Sequence, residues 1–358
     1  MLNNAAVTSP NPSAGVLDVQ ALSMWLQAHI PGFRGTAALA RFPGGQSNPT
    51  YRLTDASGTC YVLRKQPDGE LLPSAHAIDR EYRVIAALDG SEVPVARALG
   101  YCAEASVIGT PFYVMAYVEG RVLWDPALPG CERAERSAIY QEMNRVVAAL
   151  HGVDPAAVGL ANYGRSGGFL TRQIGRWTAQ YQASVTEPIP AMERLTEWLP
   201  AHVPPGDETC IFHGDLRIDN VIFHPSEPRV LAVLDWELST LGHPLADFAY
   251  HALPWRLTAA QFRGMAGVDH AALGIPDERS YLDAYCRRTG RAPVDPAHWE
   301  FYLAYSMFRL AAILQGILKR ARDGTASSAQ ALETGAKAQP IAEAAWRQVE
   351  AHFPRGER

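Results

Sequence analysis

Apolar side chains in the first 118 residues follow helical spacing in two places and form short β-rich runs elsewhere. Helical spacing extends from Val16 to Ile30 and returns from Ser74 to Leu88. Between these helices, residues 36–63 form β-rich runs, and the turn Asp55-Ala56-Ser57-Gly58 predicts a hairpin. Further strands are predicted near residues 95–102 and 111–118. This part of the chain therefore predicts a small antiparallel sheet with one inserted helix.

From Glu119-Gly120 onward the pattern is mainly helical, with a first long helix predicted from Arg133 to His151. Short apolar runs at 210–213, 221–223 and 230–234 are candidate strands, and long helices resume at Leu245. A β-rich part followed by a helical part predicts an α+β enzyme of two lobes with a cleft between them. The predicted organisation is a tail and helix at 1–35, a β-rich lobe at 36–118 and a helical lobe at 119–358.

Composition narrows the class of protein without identifying it. The 358 residues are 47% apolar and 19% charged, which is typical of a folded soluble chain, and the net charge is −5. A pI near 6.1 argues against nucleic acid or a membrane surface as partner, because both need a concentrated positive field. Five scattered cysteines without a C-x-x-C pair indicate reduced thiols and a cytoplasmic location. The apolar stretch Phe301 to Leu318 contains Arg309 and Gln315, which favours a buried helix over a membrane span.

The string His213-Gly214-Asp215-Leu216-Arg217-Ile218-Asp219-Asn220 carries the strongest chemical signal, and Leu234-Asp235-Trp236 follows it after a β-rich run. Phosphoryl transfer depends on positioning the reacting groups and on neutralising the negative charge of the phosphates. Asp215 is placed to meet an acceptor hydroxyl, while Asn220 and Asp235 offer the oxygen ligands that Mg²⁺ prefers. Asp and Asn also cap ordinary turns, but the spacing and the second acid favour the catalytic interpretation.

These residues resemble those of the aminoglycoside phosphotransferase-like kinases, and most closely the subgroup that in animals is fused to acyl-CoA dehydrogenase domains. The resemblance extends over residues 36–320. It also includes Phe42–Tyr51, Tyr61–Lys65, Asp79–Tyr82 and the segment from Asp235 to Phe248. It implies a two-lobed protein-kinase-like fold, with a small antiparallel β lobe and a larger, mainly helical lobe, and it implies ATP and Mg²⁺ as cofactors. The H-R-D, D-F-G and A-P-E strings of ordinary protein kinases are absent.

The resemblance places the nucleotide phosphates near the turn between the first two strands. Gly44 and Gly45 let the backbone approach phosphate, and Ser47 and Asn48 could add hydrogen-bond donors. Taken alone, this string is more typical of a plain hairpin turn. Together with Asp215 it favours a phosphate-binding loop.

A cation on the third strand should bind the α- and β-phosphates, and the resemblance assigns this position to Arg64, where the family usually has Lys. Strand alternation puts Arg64 and Lys65 on opposite faces, so only one can point into the cleft. Arg64 is favoured, and Lys65 would then be a solvated strand end. The partner of the cation should be a carboxylate on the next helix. Glu81 matches the family's position, and Asp79 is the alternative.

Further roles are implied by the resemblance alone. Adenine is expected to bind backbone groups near Tyr117 and Val118, which any side chain permits. Asp247 resembles the acid that braces the catalytic loop. His213 is expected to brace the same loop by holding a backbone carbonyl.

The implied function is ATP-dependent, Mg²⁺-assisted transfer of the γ-phosphoryl group to a hydroxyl of a small molecule. A hydroxyacyl-CoA is the leading acceptor, because the resemblance is to the subgroup linked to acyl-CoA dehydrogenases. One alternative is an aminoglycoside antibiotic kinase. The other is a non-catalytic nucleotide-binding regulatory module, which is disfavoured because Asp215, Asn220 and Asp235 are all present.

The charge of the C-terminal part bears on the acceptor. Residues 253–358 contain 14 Lys and Arg against 11 Asp and Glu, and so carry a net charge of +3. Aminoglycosides are polycations that need a cluster of carboxylates, so this balance disfavours them. Two clusters of cations are either solvated helix faces or a site for an anionic group such as the CoA phosphates. They are Arg287, Arg288 and Arg291, and Lys319, Arg320 and Arg322.

Overall fold

A computed structural model describes residues 17–42, 48–68, 77–326 and 328–353. Within these ranges the strands are β1 (Ala38–Arg41), β2 (Thr50–Thr54), β3 (Cys60–Lys65), β4 (Ala98–Cys102), β5 (Phe112–Ala116), β6 (Cys210–Phe212), β7 (Val221–Phe223), β8 (Val230–Val233) and β9 (Thr240–Gly242). The α-helices are α1 (Val19–His29), α2 (Ile78–Leu88), α3 (Ala105–Ile108), α4 (Arg133–Gly152), α5 (Phe169–Ser184), α6 (Pro190–Ala201), α7 (Pro244–His251), α8 (Ala259–Phe262), α9 (His270–Leu273), α10 (Glu278–Thr289), α11 (Pro296–Arg322), α12 (Ala331–Ala336) and α13 (Ala338–His352). Short 3₁₀ turns occupy Ile218–Asn220, Trp236–Leu238 and Leu253–Trp255.

The chain divides into two compact units. The β-rich unit comprises Met1–Val122 and Asn220–Ser239, and the helical unit comprises Leu123–Asp219 and Thr240–Arg358. These units differ from the predicted domains, because the second segment of the β-rich unit was expected in the helical lobe and α1 was expected outside the β-rich lobe. A sequence pattern marks where an element lies but does not show that a later segment of the chain returns to an earlier unit.

Strands β1 to β5 of the β-rich unit form one antiparallel sheet in the order β1-β2-β3-β5-β4. The predicted hairpin is confirmed, since β2 and β3 pair with Thr50 opposite Arg64. The Asp55 carboxylate holds the hairpin turn by accepting the backbone N–H groups of Ser57 and Thr59. Asp favours turns because its short side chain reaches nearby backbone groups in this way.

Helix α1 anchors the N-terminal side of this unit. Its residues Leu22 and Leu26 are fully buried in a cluster that includes Leu53, Leu63 and Phe112 of the sheet. Burying a Leu side chain contributes about 1.5–3 kcal/mol, so the two leucines alone give this helix a firm attachment. The helix begins where the Asp18 side chain accepts the N–H of Ala21.

Helix α2 places one carboxylate on its buried face. Its buried residues recur every three or four positions, as the helical period requires, and they are Ile78, Glu81, Val84, Ile85 and Leu88. Asp79 lies on the exposed face. The helical register therefore turns Glu81, rather than Asp79, towards β4 and β5.

The pair of strands β7 and β8 completes the β-rich unit. They are antiparallel, with Val221 opposite Val233. The backbone N–H of Arg121 donates to the Phe223 carbonyl at 2.9 Å, which ties the pair to the end of the unit's first segment. Gly120 is required at this junction, because a Cβ there would lie 2.3 Å from the Phe223 carbonyl oxygen.

Helix α11 is the core helix of the helical unit, packed against α5, α7, α12 and α13. Among the described residues it alone has the length and hydropathy of a membrane span, and 83% of its most apolar window is buried in the protein. The prediction of a buried helix between Phe301 and Leu318 is therefore confirmed.

Helix α7 is short, almost wholly buried, and carries two residues of the candidate site, Asp247 and Tyr250. Because they are three positions apart, both lie on the same side of the helix. The helix begins after His243, whose Nδ1 accepts the N–H of Leu245, and Pro244 occupies the first helical position. The side-chain cap and the proline together fix where this helix starts.

We expect His243→Asn to reduce the pH dependence of stability. Burial lowers the pKa of His243 to about 4, so it stays neutral in the folded protein, whereas the unfolded chain protonates it near pH 6.5. The stability that depends on the neutral ring is present above pH 6.5 and is lost as pH falls towards 4, by about 2 kcal/mol at pH 5. Asn retains a capping oxygen for Leu245 but does not titrate. Urea unfolding at pH 7.5 and pH 5.0 measures the effect, and an equal pH dependence in both proteins would contradict it.

Candidate active site

Arg64, near the end of β3, stands among three carboxylates. Its Nε lies 2.8 Å from Oε2 of Glu81, and its Nη2 lies 3.0 Å from Oδ1 of Asp235 and 3.6 Å from Oε2 of Glu237. Burial lowers the pKa of Arg64, but the neighbouring acids, Glu81 first, outweigh burial and raise it, so the guanidinium stays charged. Three acids around one cation leave an excess of negative charge, which favours the binding of a further cation.

Lys65 points to the opposite face of the strand, as alternation requires. It is not the solvated strand end that the sequence predicts, because its side chain is only 2% exposed and its Nζ lies 2.7 Å from Oδ1 of Asp68. The ion pair compensates the burial of this charge. The carboxylates Glu81 and Asp235 therefore lie around Arg64, and Lys65 has a separate partner.

Glu81 is held by two more polar groups. The Asn48 amide nitrogen donates to its Oε1 at 2.6 Å, and the Tyr113 hydroxyl donates to its Oε2 at 3.1 Å. Burial raises the pKa of Glu81, while the charge of Arg64 and these hydrogen bonds oppose that rise. Asn48 is itself fully buried, and its side chain fixes Glu81. Contact of Asn48 with phosphate stays a prediction.

Part of the predicted phosphate loop lies outside the described residues, since Gly44, Gly45 and Ser47 fall within 43–47. Tyr117 and Val118 directly follow β5 and are half-buried. The guanidinium of Arg52 lies 5.4 Å from the centre of the Tyr117 ring. Contact of this segment with adenine stays a prediction.

Asn220 and Asp235, the predicted metal ligands, lie next to paired ends of β7 and β8. The Asn220 carbonyl accepts the N–H of Leu234 at 2.8 Å, so Asp235 follows this pairing by one residue. Asp235 has a left-handed φ of 63°, which is uncommon outside glycine and is often found at functional sites. Its side chain is 37% exposed. A carboxylate and a side-chain amide are hard oxygen donors, so this donor set fits Mg²⁺.

Asp215 lies in the loop between β6 and β7, and its side chain is 17% exposed. The Tyr250 hydroxyl donates to its Oδ1 at 2.8 Å, and Nη2 of Arg217 lies 3.2 Å from its Oδ2. Burial raises the pKa of Tyr250, so its hydroxyl stays protonated and keeps donating. Both carboxylate oxygens are thus oriented by neighbours, and a partly exposed carboxylate held in this way can accept a proton from a bound hydroxyl.

Asp247 braces the loop that carries Asp215. It is fully buried, and its carboxylate accepts the backbone N–H groups of His213 at 2.6 Å and Gly214 at 2.9 Å. Burial would raise the pKa of Asp247, but hydrogen bonds, first that of His151, hold it below its usual value. His213 contributes from within the loop, because its Nδ1 accepts the N–H of Asp215. Its contact with a backbone carbonyl stays a prediction. These contacts match the bracing role that the resemblance implies for Asp247.

A pocket of the helical unit opens beside this loop. Arg217 and Asp219 line it, and so does His251, whose Nδ1 hydrogen-bonds with the Leu216 carbonyl. Burial lowers the pKa of His251 to about 4, so the ring is neutral at physiological pH. Because Arg217 also contacts Asp215, this pocket adjoins the candidate base.

The two C-terminal cation clusters have local partners. Arg287 and Arg320 are exposed, while other members of both clusters pair with nearby side chains. Those pairs are Arg288 with Asn144, Arg291 with Glu208, Lys319 with Asp323 and Arg322 with Glu187. Such contacts favour the interpretation as helix faces over a site for CoA phosphates.

Several residues near the candidate base were not singled out from the sequence. Arg217 and Asp219 lie inside the recognised string, so their charges were an available signal. Tyr250 lies on the Asp247 face of α7, which the helical period could have shown. For Arg263, which contacts Asp219 from 44 positions away, the sequence offers no such signal.

Known proteins share this architecture and define its class. Aminoglycoside 2'-phosphotransferase-IIIa, solved as its GDP complex, aligns over 92% of this chain and 99% of its own with a TM-score of 0.62. At 13% identity this likeness bears on the fold alone, and the fold is protein-kinase-like. The sequence matches the phosphotransferase enzyme family over residues 38–305. The chain belongs to this family, and the predicted fold class and resemblance are confirmed.

Three relatives share more of the sequence. A crystal structure from Ralstonia eutropha JMP134, described as a candidate aminoglycoside phosphotransferase, is 55% identical, with a TM-score of 0.87 over 95% of this chain and 100% of that chain. Acyl-CoA dehydrogenase family member 10 of Mus musculus is 48% identical over 330 residues, which are 90% of this chain and 30% of the relative. Acyl-CoA dehydrogenase family member 11 of Homo sapiens is 43% identical over 333 residues, 91% of this chain and 42% of the relative. The chain therefore spans less than half the length of these two relatives.

Proposed function

We propose that the chain is an ATP-dependent kinase that transfers the γ-phosphoryl group to a hydroxyl of a small molecule. The observation that carries the proposal is the Asp215 carboxylate, which is partly exposed and oriented by Tyr250 and Arg217 on a loop braced by Asp247. Membership of a phosphotransferase family supports the reaction type. An intact set of Asp215, Asn220 and Asp235 supports catalysis over mere nucleotide binding.

Asp215 would accept the proton of the acceptor hydroxyl. The acceptor oxygen then bonds to the γ-phosphorus, while the bond from that phosphorus to the β–γ bridging oxygen breaks and its electron pair leaves with ADP. Tyr250 keeps the carboxylate in the orientation needed for proton transfer. Arg217, at 3.2 Å from the carboxylate, would offset negative charge next to the reacting oxygen.

The nucleotide would be held by the β-rich unit. Arg64 would bind the α- and β-phosphates, while Glu81 orients its guanidinium. Mg²⁺, when bound, supplies positive charge that neutralises the phosphates. Asn220 and Asp235 would hold it through their side-chain oxygens, and the excess of acids around Arg64 supports this placement.

A hydroxyacyl-CoA is our leading acceptor. The chain matches 30% and 42% of two relatives that are named as acyl-CoA dehydrogenase family members, and these names support the choice. Arg217 and Arg263 line the pocket beside Asp215, where their N–H groups would donate to an acceptor oxygen. The paired cations of the C-terminal helices contribute no support, because their partners are within the protein.

An aminoglycoside is the second candidate acceptor. The description of the Ralstonia eutropha relative, at 55% identity, favours it. A non-catalytic nucleotide-binding module is the third candidate. The three candidates predict different results in a single assay.

ADP release decides among them. The panel contains 4-hydroxyacyl-CoA esters, the same esters without the hydroxyl as matched controls, and kanamycin. We expect ADP release with the hydroxylated esters, an equal amount of phosphorylated ester, and only background release with the controls. Release with kanamycin alone would favour the aminoglycoside kinase. Background release with every compound would favour the nucleotide-binding module.

A further inference from the structure

The pocket beside Asp215 has mainly apolar walls. Trp124, Tyr140 and Trp255 are among its lining residues. The Tyr140 hydroxyl donates to the Pro126 carbonyl at 2.6 Å, and the Trp255 indole N–H donates to the Pro276 carbonyl at 2.9 Å. The polar ends of these two rings are therefore already bonded within the protein. Both residues are buried, and the small surface that their rings leave in the pocket is apolar.

Trp124 forms an exposed part of the wall. The residue is 55% exposed, and the Arg263 guanidinium lies 5.8 Å from the centre of its ring. A large, rigid indole in the lining of an apolar pocket offers contact area to a ligand. Met143, by contrast, is buried and closes the pocket from the inside.

The charged groups of the pocket are two arginines and one acid. Nε of Arg217 lies 3.3 Å from Oδ1 of Asp219, and Nη1 of Arg263 contacts Oδ2 of the same carboxylate. The neighbouring His251 is neutral. Asp215 adjoins the pocket, with its Oδ2 3.2 Å from Nη2 of Arg217, so two acids match the two cations. The guanidinium N–H groups are donors that suit a ligand oxygen.

The segment that carries Arg263 is held in a strained conformation. Arg263 has a left-handed φ of 43°, which is uncommon for a residue with a side chain. The next residue is Gly264, where a Cβ would lie 1.7 Å from the Leu257 carbonyl oxygen. Strain of this kind persists where the surrounding structure enforces it, and it often occurs at ligand-binding segments.

We propose that this pocket binds the acyl chain of the acceptor, with the chain against Trp124 and Trp255 and its oxygen-bearing end near Arg217 and Arg263. The assignment rests on the proposed function, in which the hydroxyl of the same acceptor meets Asp215. It makes Trp124 a specificity-determining residue, because each methylene buried against the aromatic wall strengthens binding.

Saturated acyl-CoA esters of four to eight carbons test the pocket directly, because they have no hydroxyl to phosphorylate. In calorimetric titrations of the full chain, we expect Kd to tighten about two- to fourfold for each added methylene. Trp124→Ala should weaken binding of the eight-carbon ester by about tenfold and of the four-carbon ester by less than about threefold. Leu332→Ala is the matched control, since Leu332 is also 55% exposed but lies on α12 and does not line the pocket. It should leave the series unchanged.

A wild-type series without chain-length dependence, or without measurable binding, would overturn the pocket assignment. The same conclusion would follow if Trp124→Ala and Leu332→Ala behaved alike. The ADP-release assay is interpreted separately. If binding depends on chain length but no hydroxylated ester is turned over, the pocket assignment is supported and the proposed function is contradicted. If a hydroxylated ester is turned over but binding does not depend on chain length, the proposed function is supported and the pocket assignment is contradicted.

Discussion

Asp215→Asn is expected to lower kcat by about a thousandfold and to leave the affinity for ATP within about threefold of wild type. Asn matches Asp in size but cannot accept the proton of the acceptor hydroxyl. ATP would be held by residues of the β-rich unit, to which Asp215 does not belong. Steady-state ADP release gives kcat, and calorimetric titration with ATP gives Kd for the same preparation.

Asp283→Asn is the control for this substitution. Asp283 pairs with Arg279 one helical turn away on α10, and surface pairs of this kind contribute little. The control should leave kcat and Kd unchanged. If Asp215→Asn retained more than about a tenth of wild-type turnover, Asp215 would not be the general base. A parallel loss of ATP affinity would instead indicate that the loop itself had been disturbed.

Arg64→Ala is expected to raise the KM for ATP at least about tenfold and to lower the free energy of unfolding by about 3 kcal/mol. The kinetic effect follows from the loss of the phosphate-binding cation. The effect on stability arises because Glu81, whose side chain is only 3% exposed, loses the guanidinium that compensates its burial. Arg64→Lys should give a KM and a free energy of unfolding between those of the wild type and of Arg64→Ala. Lys keeps the charge but cannot contact Glu81 and Asp235 with one planar group.

Lys65→Ala separates phosphate binding from stability. Lys65 is buried and pairs with Asp68, so its loss should lower the free energy of unfolding. The KM for ATP should nevertheless stay within about twofold of wild type, because Lys65 lies on the other face of the strand. Urea unfolding and ATP-dependent kinetics are measured on both alanine variants. A larger rise in KM for Lys65→Ala than for Arg64→Ala would identify Lys65 as the phosphate-binding cation.

The strand and helix periods of the sequence predicted correctly those features that depend on neighbouring residues in the chain. Alternation along a strand separates Arg64 from Lys65, and the pairing of Arg64 with Glu81 follows the predicted face. The helical period distinguishes Glu81 from Asp79, because Glu81 lies three positions after the buried Ile78. The hairpin at Asp55 and the buried helix α11 were predictable for the same reason.

Contacts between distant segments could not be derived in this way. Tyr250 is 35 positions from Asp215, and no helical or strand period relates the two. Counting cations in residues 253–358 likewise did not reveal their partners, since Glu208 lies 83 positions before Arg291. The net charge of a segment describes its composition, but the pairing of each charge depends on the tertiary fold. The charge of residues 253–358 therefore does not decide which acceptor binds.

On the ribosome, the β-rich unit cannot finish folding when Val122 emerges. The residues that complete it, Asn220–Ser239, are made only after the whole of Leu123–Asp219. At about 5–20 residues per second, translation of that insertion takes roughly 5–20 s. During this interval Asp235 is not yet available to Arg64, and the bond between Arg121 and Phe223 cannot form. All five strands of the sheet are made by then, but the β7–β8 pair that completes the unit is missing for seconds, so the unit passes through a partly folded intermediate.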